Sequence, residues 1–312
     1  MAPVRIVVVG SANMDIVMRT RRLPKPGETL IAQVFMTAHG GKGANQAVAA
    51  ARLGARVSFV GAVGADAFGA IQRDGLAREG MDLTHLKTDT EQATGVAQIV
   101  IADTGDNMIV VAPNANHGLL PADIAGLRAC FEAADVVITQ LETPLETVEA
   151  VLRLARDCDL FSILDIGSAM KVPAALIACA DLVSPNETEA EAITGVVVDT
   201  ADTARDAGER LLAMGARHVV MKLGARGCLY LGEATVPMPA FPVKAVDATA
   251  AGDAFTAALG VAWHRLPRAD ALRFANAAGA LAATVAGAQP SMSTRAAVLQ
   301  FLRDHGCTID LQ

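Results

Sequence analysis

The feature that most constrains this fold is an alternation of short, mostly apolar runs with longer helical patterns. The short runs are apolar on both sides, unlike a strand with one solvated face. Doubly apolar strands separated by helices are typical of a parallel sheet covered by helices on both faces. We therefore predict an α/β fold. Its strands are expected at 5–9, 57–60, 136–139, 161–164, 182–184 and 218–223. Its helices are expected at 42–53, 68–79, 145–156, 187–194, 200–214, 254–265 and 268–286.

Composition supports a large core and excludes several partners. The chain has 312 residues, of which 52% are hydrophobic and 19% charged. Its net charge of −7 comes without long blocks of one sign, which argues against nucleic acid or an anionic membrane as a partner. The first apolar run stops at Gly10, too early for a signal peptide or a membrane span. The five cysteines are scattered and contain no Cys-x-x-Cys. We expect a cytoplasmic protein with free thiols.

Two segments, 15–38 and 94–111, interrupt the alternation. Each reads as strand–turn–strand without a helix, and DTGD (103–106) supplies a hairpin turn. Together they predict a small antiparallel β lid beside a core formed by 1–14, 39–93 and 112–312. The lid could cover a site or form a dimer surface. An edge decoration without a role in function is the alternative.

Polar residues follow the predicted strands, where open α/β sheets bind ligands. Asn13 and Asp15 are alternate residues, so in an extended segment they face the same side and suit a polyol. Asx turns would also explain them. Glu142 follows another buried strand, either to face a ligand or to stabilise the start of the next helix.

A glycine-rich turn, HGGKGANQ (39–46), leads into a predicted helix. Gly41 and Gly43 permit close backbone approach, Lys42 adds a charge, and the Asn45 amide could bind a polar ligand. The turn matches neither a Walker loop nor G-x-G-x-x-G, and it could be only a tight turn. The same G-x-G-x-x-G pattern is missing after the first strand, which argues against a dinucleotide-dependent oxidoreductase.

Asn186 and Glu189 have the N-x-x-E spacing of a helix start. A capping box explains the pair, and so does a sparse site for hydrated Mg²⁺ and phosphate. Gly224 and Gly227 follow the strand at 218–223. They could admit a nucleotide or simply form a hairpin.

The stretch DATAAGDAF (247–255) combines small residues with acids. The N–H groups of Ala250, Ala251 and Gly252 would converge at a helix start and form an anion site. Asp253 would then accept the proton of an attacking hydroxyl, as phosphoryl transfer requires. Stabilisation of the helix dipole is the simpler alternative for this acid.

These blocks, in order, resemble the ribokinases of the phosphofructokinase-B-like carbohydrate kinase superfamily. The resemblance includes VVVGSANMD, RLPKPGET, GGKGANQAVAAARLG, QLETPLE, SPNETEAEAITG, KLGARG, VDATAAGDAF and ANAAGALAATVAGAQPS, and it covers nearly the whole chain. It implies a ribokinase-like sheet sandwiched by helices, with a β lid that pairs two subunits into a homodimer. It also implies ATP-dependent phosphorylation of D-ribose at O5, with Mg²⁺ and a monovalent cation, usually K⁺.

The resemblance also implies roles for individual residues. Sugar contacts fall at Asn13, Asp15, Gly41, Lys42, Gly43, Asn45, Glu142 and Asp253. Asp253 would be the catalytic base, and the backbone of Ala250, Ala251 and Gly252 would form the anion hole. Nucleotide contacts fall at Asn186, Lys222, Gly224, Gly227, Gly252 and Asn276. Glu189 would hold Mg²⁺ through water. The monovalent cation would be held by Asp247, Ser291 and the backbone of Thr249, Ala282, Val285 and Gly287.

Two places depart from the ribokinase pattern. LDIGSAM (164–170) stands where these enzymes often have Asn-Pro-Ala-Pro, and Lys222 replaces a small hydroxyl residue. Both are expected on the phosphate side of the site. The alternatives are another kinase of the superfamily, acting on a ketohexose, deoxyribose or a nucleoside, and a non-catalytic sugar sensor. An intact Asp253 and the N-x-x-E pair argue against the sensor.

Overall fold

The computed structural model describes residues 2–311, which form two sheets and eleven α-helices. The strands are β1 (Arg5–Val9), β2 (Asn13–Thr20), β3 (Val34–Gly40), β4 (Arg56–Gly64), β5 (Leu86–Asp89), β6 (Gly95–Ala102), β7 (Asn107–Ala112), β8 (Val136–Gln140), β9 (Phe161–Asp165), β10 (Leu182–Ser184), β11 (His218–Lys222), β12 (Cys228–Leu231) and β13 (Thr235–Met238). The helices are α1 (Lys42–Arg52), α2 (Ala67–Arg78), α3 (Pro121–Ala125), α4 (Arg128–Glu132), α5 (Leu145–Asp157), α6 (Ala174–Ile177), α7 (Glu187–Thr194), α8 (Ala201–Ala213), α9 (Ala251–Ala262), α10 (Arg268–Ala282) and α11 (Arg295–Asp304).

The large sheet has nine strands in the order β13-β12-β11-β10-β9-β8-β1-β4-β5. All neighbours from β11 to β5 pair in parallel, whereas β12 and β13 are antiparallel. The predicted mostly parallel sheet is confirmed, and each predicted strand occurs. β4 runs on to Gly64 because its second half pairs with β5, a four-residue edge strand that has no apolar run.

Helices cover both faces of this sheet, as the doubly apolar strands predict. On β1, Ile6 and Val8 pack into the cluster that contains α1, α9 and α10. Val7 and Val9 point the other way and pack against α5. Because successive side chains alternate, one buried strand serves two cores.

The second sheet has four strands in the order β3-β2-β6-β7, and we call it the small sheet. Both of its hairpins are antiparallel, as predicted, but the inner strands β2 and β6 pair in parallel, so the sheet is mixed. The reason is topological. β1 and β5 end at the same edge of the large sheet, and the strands that follow them, β2 and β6, leave that edge in the same direction, with Asn13 opposite Gly95.

Three predicted helix boundaries were wrong. The end of α9 lies at Ala262 rather than 265, because the chain turns there and the Arg265 N–H bonds to the Ala262 carbonyl at 3.0 Å. α9 begins at Ala251 rather than 254, because Ala250 adopts a left-handed conformation (φ 59°) and its carbonyl accepts the N–H of Ala254. α10 ends at Ala282 rather than 286, because the following loop bonds back to the segment at Asp247. Within residues 2–311, no helix combines the length and apolar character needed to cross a bilayer.

Candidate active site

Polar side chains gather at the carboxyl edge of the large sheet, where β1, β8, β9, β10 and β11 all end. This edge is the usual ligand-binding position of an open α/β sheet. Each of these strands supplies a polar residue at its end or just beyond it. In strand order along the chain these are Asn13, Glu142, Asp165, Asn186 and Lys222.

Asp253 lies at the centre of this group, in the first turn of α9, and is only 3% exposed. Its Oδ2 accepts a hydrogen bond from Asn45 Nδ2 at 3.0 Å, and its Oδ1 accepts one from Gln46 Nε2 at 3.1 Å. Both donors belong to α1, so the packing of α1 against α9 fixes the carboxylate. Two amide donors leave lone pairs on each oxygen free for a third partner.

The surroundings of Asp253 raise its pKa to about 6, from an ordinary value of 3.8. Burial is the largest cause, and the negative charges of Asp165 and Glu142 act in the same direction. The charge of Lys42 and the bond from Asn45 oppose them. A carboxylate of this kind is ionised at neutral pH, yet basic enough to accept a proton during a reaction.

This raised pKa predicts the pH dependence of turnover. If Asp253 acts as a base, its deprotonated form is the active one, so kcat/KM should fall about tenfold for each pH unit below about 6. Asp15 lies in the same cluster of carboxylates, so the apparent pKa of the profile describes the coupled carboxylates together rather than Asp253 alone. The check is a pH–rate profile between pH 5 and 9. A profile without an acid limb would contradict a base at this position.

Glu142 lies in the turn after β8 and bonds across the sheet edge. Its Oε2 accepts from Ser11 Oγ at 2.5 Å and from the backbone N–H of Lys42 at 3.1 Å. Glu142 therefore caps the first turn of α1 and holds the loop after β1. Neither of these bonds goes to α5, the helix that follows it.

Asp15 and Asn13 both lie on β2, at the base of the small sheet. Asn13 Oδ1 accepts from Asn116 Nδ2 at 2.7 Å, and Asn116 is fully buried. A side chain at Gly40 would collide with the Asp15 carboxylate, so the glycine makes room for it. Burial, followed by the charges of Glu142 and Asp253, raises the pKa of Asp15 to about 7. The small sheet thus contributes a carboxylate to the cluster around Asp253.

The glycines before α1 let the helix approach the loop after β1. Gly41 has a left-handed backbone (φ 88°), and a Cβ there would lie 2.7 Å from the backbone nitrogen of Asn13. A Cβ at Gly43 would lie 2.6 Å from the backbone nitrogen of Ser11, whose hydroxyl accepts the Gly43 N–H at 3.3 Å. The turn therefore has a packing role that accounts for both glycines. It also places Asn45 and Gln46 beside Asp253.

The start of α9 leaves backbone donors free. The N–H of Ala251 donates to the carbonyl of Ala248 at 3.2 Å. Within residues 2–311, nothing accepts the N–H groups of Gly252 and Asp253. Free first-turn N–H groups next to small side chains make a helix N-terminus suitable for an anion.

The two places that depart from the ribokinase pattern, Lys222 and the segment 164–170, contact each other. Lys222, at the end of β11, forms an ion pair and hydrogen bond with Oδ1 of Asp165, at the end of β9. The other oxygen of Asp165 accepts from Gln46 Nε2 at 2.6 Å, and Gln46 Oε1 accepts from Gln140 Nε2 at 2.6 Å. Gly167, in the same segment, has the aliphatic chain of Lys42 packed against it.

Sequence reasoning missed Asp165, Gln46, Gln140, Ser11 and Asn116. Each is buried. Four of them bond directly to a residue that was identified, and Gln140 bonds to one of these four, Gln46. The available signal was a polar residue inside an otherwise apolar strand or helix face, such as Gln46 in GANQAVAA. That signal is weak, because it does not say which residues such a side chain meets.

Asn186 and Glu189 form the capping box at the start of α7. Asn186 Oδ1 accepts from the Glu189 N–H at 2.9 Å, and Glu189 Oε2 accepts from the Asn186 N–H at 2.8 Å. Each Glu189 oxygen keeps a lone pair. In the described part of the chain, no three His, Cys, Asp or Glu side chains are grouped to hold a metal. The lone pairs left on the Glu189 oxygens suit an ion that is bound through its waters, as Mg²⁺ often is.

Asp247 ties the segment before α9 to the loop after α10. Its Oδ1 accepts from the Thr249 N–H at 2.9 Å, and its Oδ2 accepts from the Gly287 N–H at 2.9 Å. Although burial raises the pKa of Asp247, a hydrogen bond from the Thr249 hydroxyl at 2.6 Å and the two N–H bonds outweigh it and lower the pKa below its usual value. Ser291 is buried and donates to the Ala288 carbonyl at 2.6 Å. The N–H of Val285 bonds to the Ala282 carbonyl at 3.2 Å, so the loop is tightly turned.

Of the residues predicted to contact the nucleotide, Gly227 and Asn276 pack against the end of β13. A side chain at Gly227 would collide with the Met238 carbonyl. Asn276 donates to the carbonyls of Met238 and Pro239 at 3.4 and 3.2 Å. Gly224 has a left-handed backbone (φ 52°) in the turn between β11 and β12. Gly224 and Gly227 lie in the hairpin that joins β11 and β12, one of the two alternatives that the sequence left open. Packing and hairpin geometry account for these residues, and a nucleotide contact stays a prediction.

Comparison with known proteins identifies the family. The family model described as pfkB family carbohydrate kinase matches residues 4–295. The chain belongs to this family. It is 39% identical over 300 residues to a ribokinase of Haemophilus influenzae, an alignment that covers 95% of this chain and 98% of the relative. It is also 36% identical over 252 residues to a deoxyribokinase of Salmonella typhi, covering 80% of this chain and 82% of that one.

A solved ribokinase structure shares the fold over nearly the whole chain. The structure of Arabidopsis thaliana ribokinase complexed with ribose and ATP superposes with a TM-score of 0.89 at 35% identity. The superposition covers 97% of this chain and 99% of the other. The resemblance to ribokinases inferred from the motifs is therefore confirmed, as is the ribokinase-like fold.

Proposed function

We propose that this kinase transfers the γ-phosphoryl group of ATP to O5 of D-ribose, giving ribose 5-phosphate and ADP. The observation that carries the proposal is the position of Asp253. Its buried carboxylate is fixed by two amides of α1 and stands in the same helical turn as free N–H groups. A proton acceptor next to an anion site is the arrangement that phosphoryl transfer to a hydroxyl needs. The similarity to ribokinases over nearly the full chain supports ribose as the acceptor.

The sugar side of the proposal rests on unused polar groups. Asn45 Oδ1 is buried and has no hydrogen-bond partner within residues 2–311, which is costly unless a ligand supplies a donor. Asp15 on β2 and Glu142 in the turn after β8 add carboxylate acceptors. Hydroxyls that both donate and accept would satisfy such a set. The residues assigned to the sugar are Asn13, Asp15, Gly41, Lys42, Gly43, Asn45 and Glu142.

In the proposed reaction, Asp253 accepts the proton of the ribose 5-hydroxyl as O5 attacks the γ-phosphorus. The bond from this phosphorus to the ADP oxygen breaks, and the proton remains on Asp253 until it leaves to solvent. The anion hole is assigned to Ala250, Ala251 and Gly252 at the start of α9. The free N–H of Gly252 stabilises the charge of the transferred group, whereas the Ala251 N–H would first have to leave the Ala248 carbonyl. The small sheet closes over the sugar and excludes water.

Two cations and the nucleotide complete the proposal. Mg²⁺, held through water by Glu189, would neutralise charge on the phosphates. A monovalent cation would be held by Asp247, Ser291 and the carbonyls of Thr249, Ala282, Val285 and Gly287, next to the anion hole. ATP would contact Asn186, Lys222, Gly224, Gly227, Gly252 and Asn276.

An ADP-release assay over a panel of sugars tests this function. We expect D-ribose to give the highest kcat/KM among ribose, 2-deoxyribose, fructose and adenosine, and turnover to be higher in potassium than in sodium chloride. Preference for 2-deoxyribose would favour the second candidate, a deoxyribose kinase, which the similarity to the Salmonella typhi deoxyribokinase supports. Absence of ADP release with every sugar would contradict both.

We also propose that the small sheet pairs two copies of the chain. An apolar row crosses all four strands on one face, formed by cross-strand neighbours. Its members are Phe35, Met18, Val100 and Met108. Phe35 is 65% exposed and Met108 is 49% exposed. Exposed apolar surface of this kind marks an interaction site, and an uncovered sheet needs a second layer. A second small sheet, apolar in the same way, is a suitable cover.

Charges placed on this row should separate the subunits. We expect the wild-type protein to elute with a mass of about 64 kDa, twice the 32.2 kDa of the chain. The double variant Phe35→Lys, Met108→Lys should elute as a monomer, because burying two ammonium groups against apolar neighbours is unfavourable. Size-exclusion chromatography with light scattering measures both. A monomeric wild type at micromolar concentration would contradict the pairing.

A further inference from the structure

The ion pair between Lys222 and Asp165 lies at an unusual place. The Lys222 side chain is 12% exposed and that of Asp165 is 1% exposed, so both charges are largely removed from water. Burying such a pair seldom stabilises a fold more than apolar residues of similar size would. Its position at the ends of β11 and β9, on the carboxyl edge of the sheet, points to a role in the site.

The ammonium of Lys222 faces the start of α9. A Cβ placed on Gly252 would lie 3.6 Å from Lys222 Nζ. The N-terminus of a helix carries a partial positive charge, and here the N–H of Gly252 has no acceptor within residues 2–311. Two positive groups side by side repel each other unless an anion lies between or beside them. The pair of Lys222 and the Gly252 N–H therefore forms a two-sided cradle for a negative group.

Asp165 is held rigidly as the counter-charge of this cradle. Its Oδ2 accepts from Gln46 Nε2 at 2.6 Å, while the Gln46 oxygen is occupied by Gln140 Nε2 at 2.6 Å. Gln46 is thus fixed with its NH₂ group toward the carboxylates of Asp165 and Asp253. Lys222, by contrast, has a flexible chain whose ammonium can move while Asp165 stays.

We propose that Lys222 binds the terminal phosphate of ATP and that Asp165 is a positioning residue that holds its ammonium beside the anion hole until the phosphate arrives. This inference rests on the proposed ATP-dependent function and names the group that recognises the γ-phosphate. The Asp165 carboxylate takes the place of the phosphate in the nucleotide-free protein. ADP, which lacks the γ-phosphate, leaves the ion pair with Asp165 intact.

The test compares the affinities for ATP and ADP, measured by calorimetry with Mg²⁺ and without sugar. Lys222→Met should weaken ATP binding about 10- to 100-fold, the effect of losing one charged hydrogen-bonding partner, and change ADP binding less than threefold. Asp165→Asn should keep the preference for ATP, and the double variant should match Lys222→Met. Lys87→Met, which removes another ion-paired lysine (Nζ–Asp123 3.0 Å), is the matched control and should change neither affinity.

Thermal unfolding separates this role from a purely structural ion pair. Without nucleotide, the Asp165→Asn variant should unfold at a lower temperature than the wild type. Addition of ATP should raise its unfolding temperature more than it raises that of the wild type. The double variant should regain stability but not the preference for ATP. The proposal would be overturned if Lys222→Met left the ratio of ATP affinity to ADP affinity unchanged, or if the double variant recovered the wild-type ratio. Because no sugar is present, these measurements remain decisive even if the wild type does not phosphorylate ribose.

Discussion

Replacement of Asp253 by asparagine should lower kcat between about 100- and 10,000-fold, the range that a positioned general base contributes. The amide has the shape of the carboxylate but cannot accept the proton of the attacking hydroxyl. ATP affinity should change little, because the free N–H groups at the start of α9 remain. ADP release with saturating ribose and calorimetric ATP binding measure the two quantities. Near-normal turnover would exclude Asp253 as the base.

If Asp253 only stabilised the helix dipole, Asp253→Asn would lower the stability of the protein rather than its turnover. The pKa of Asp253 is raised to about 6, so above that pH the native state holds a carboxylate that is less favourable than in the unfolded chain. Removing the charge at pH 8 should leave the protein at least as stable as the wild type. Asp270→Asn is the matched control, since Asp270 lies in the first turn of α10. It should leave kcat unchanged.

The order of strands and helices could be predicted because burial on both faces leaves a pattern in the sequence. The central strands appear as uninterrupted apolar runs, and the helix at Lys42–Arg52 follows a glycine-rich turn. The first turn of α9 could not be placed from pattern alone. Ala250 adopts a left-handed conformation that alanine seldom takes, so no residue pattern indicated that the helix begins at Ala251.

The network around Asp253 shows why site prediction from sequence stays incomplete. Residues that follow strands could be identified, since their position relative to the sheet is enough. Gln46 and Gln140 could not, because their role depends on which side chains meet across the core, and the two residues are 94 positions apart. Lys222 and the segment 164–170, which contains Asp165, could each be recognised as a departure from the ribokinase pattern. Only the fold shows that they compensate each other's charge.

Replacement of Asp15 is expected to have the second large effect, which is on sugar binding rather than on transfer of the phosphoryl group. Its pKa is raised to about 7 by burial and by the charges of Glu142 and Asp253, so it loses its proton as the pH rises through 7. The charged form accepts hydroxyl hydrogen bonds more strongly than a neutral amide does. We therefore expect Asp15→Asn to weaken ribose binding about 10- to 100-fold at pH 8.5 and by less at pH 6.

Ribose KM at saturating ATP, measured at both pH values, checks this expectation. Asp106→Asn is a suitable control, because Asp106 belongs to the turn at the far end of the same small sheet and its side chain accepts a hydrogen bond from the nearby Thr104 hydroxyl at 2.9 Å. A ratio of variant to wild-type KM that does not depend on pH would show that the charge of Asp15 is not used. An increase in that ratio above pH 7, with kcat largely retained, is expected if the small sheet supplies a charged acceptor to the sugar while Asp253 carries out the proton transfer.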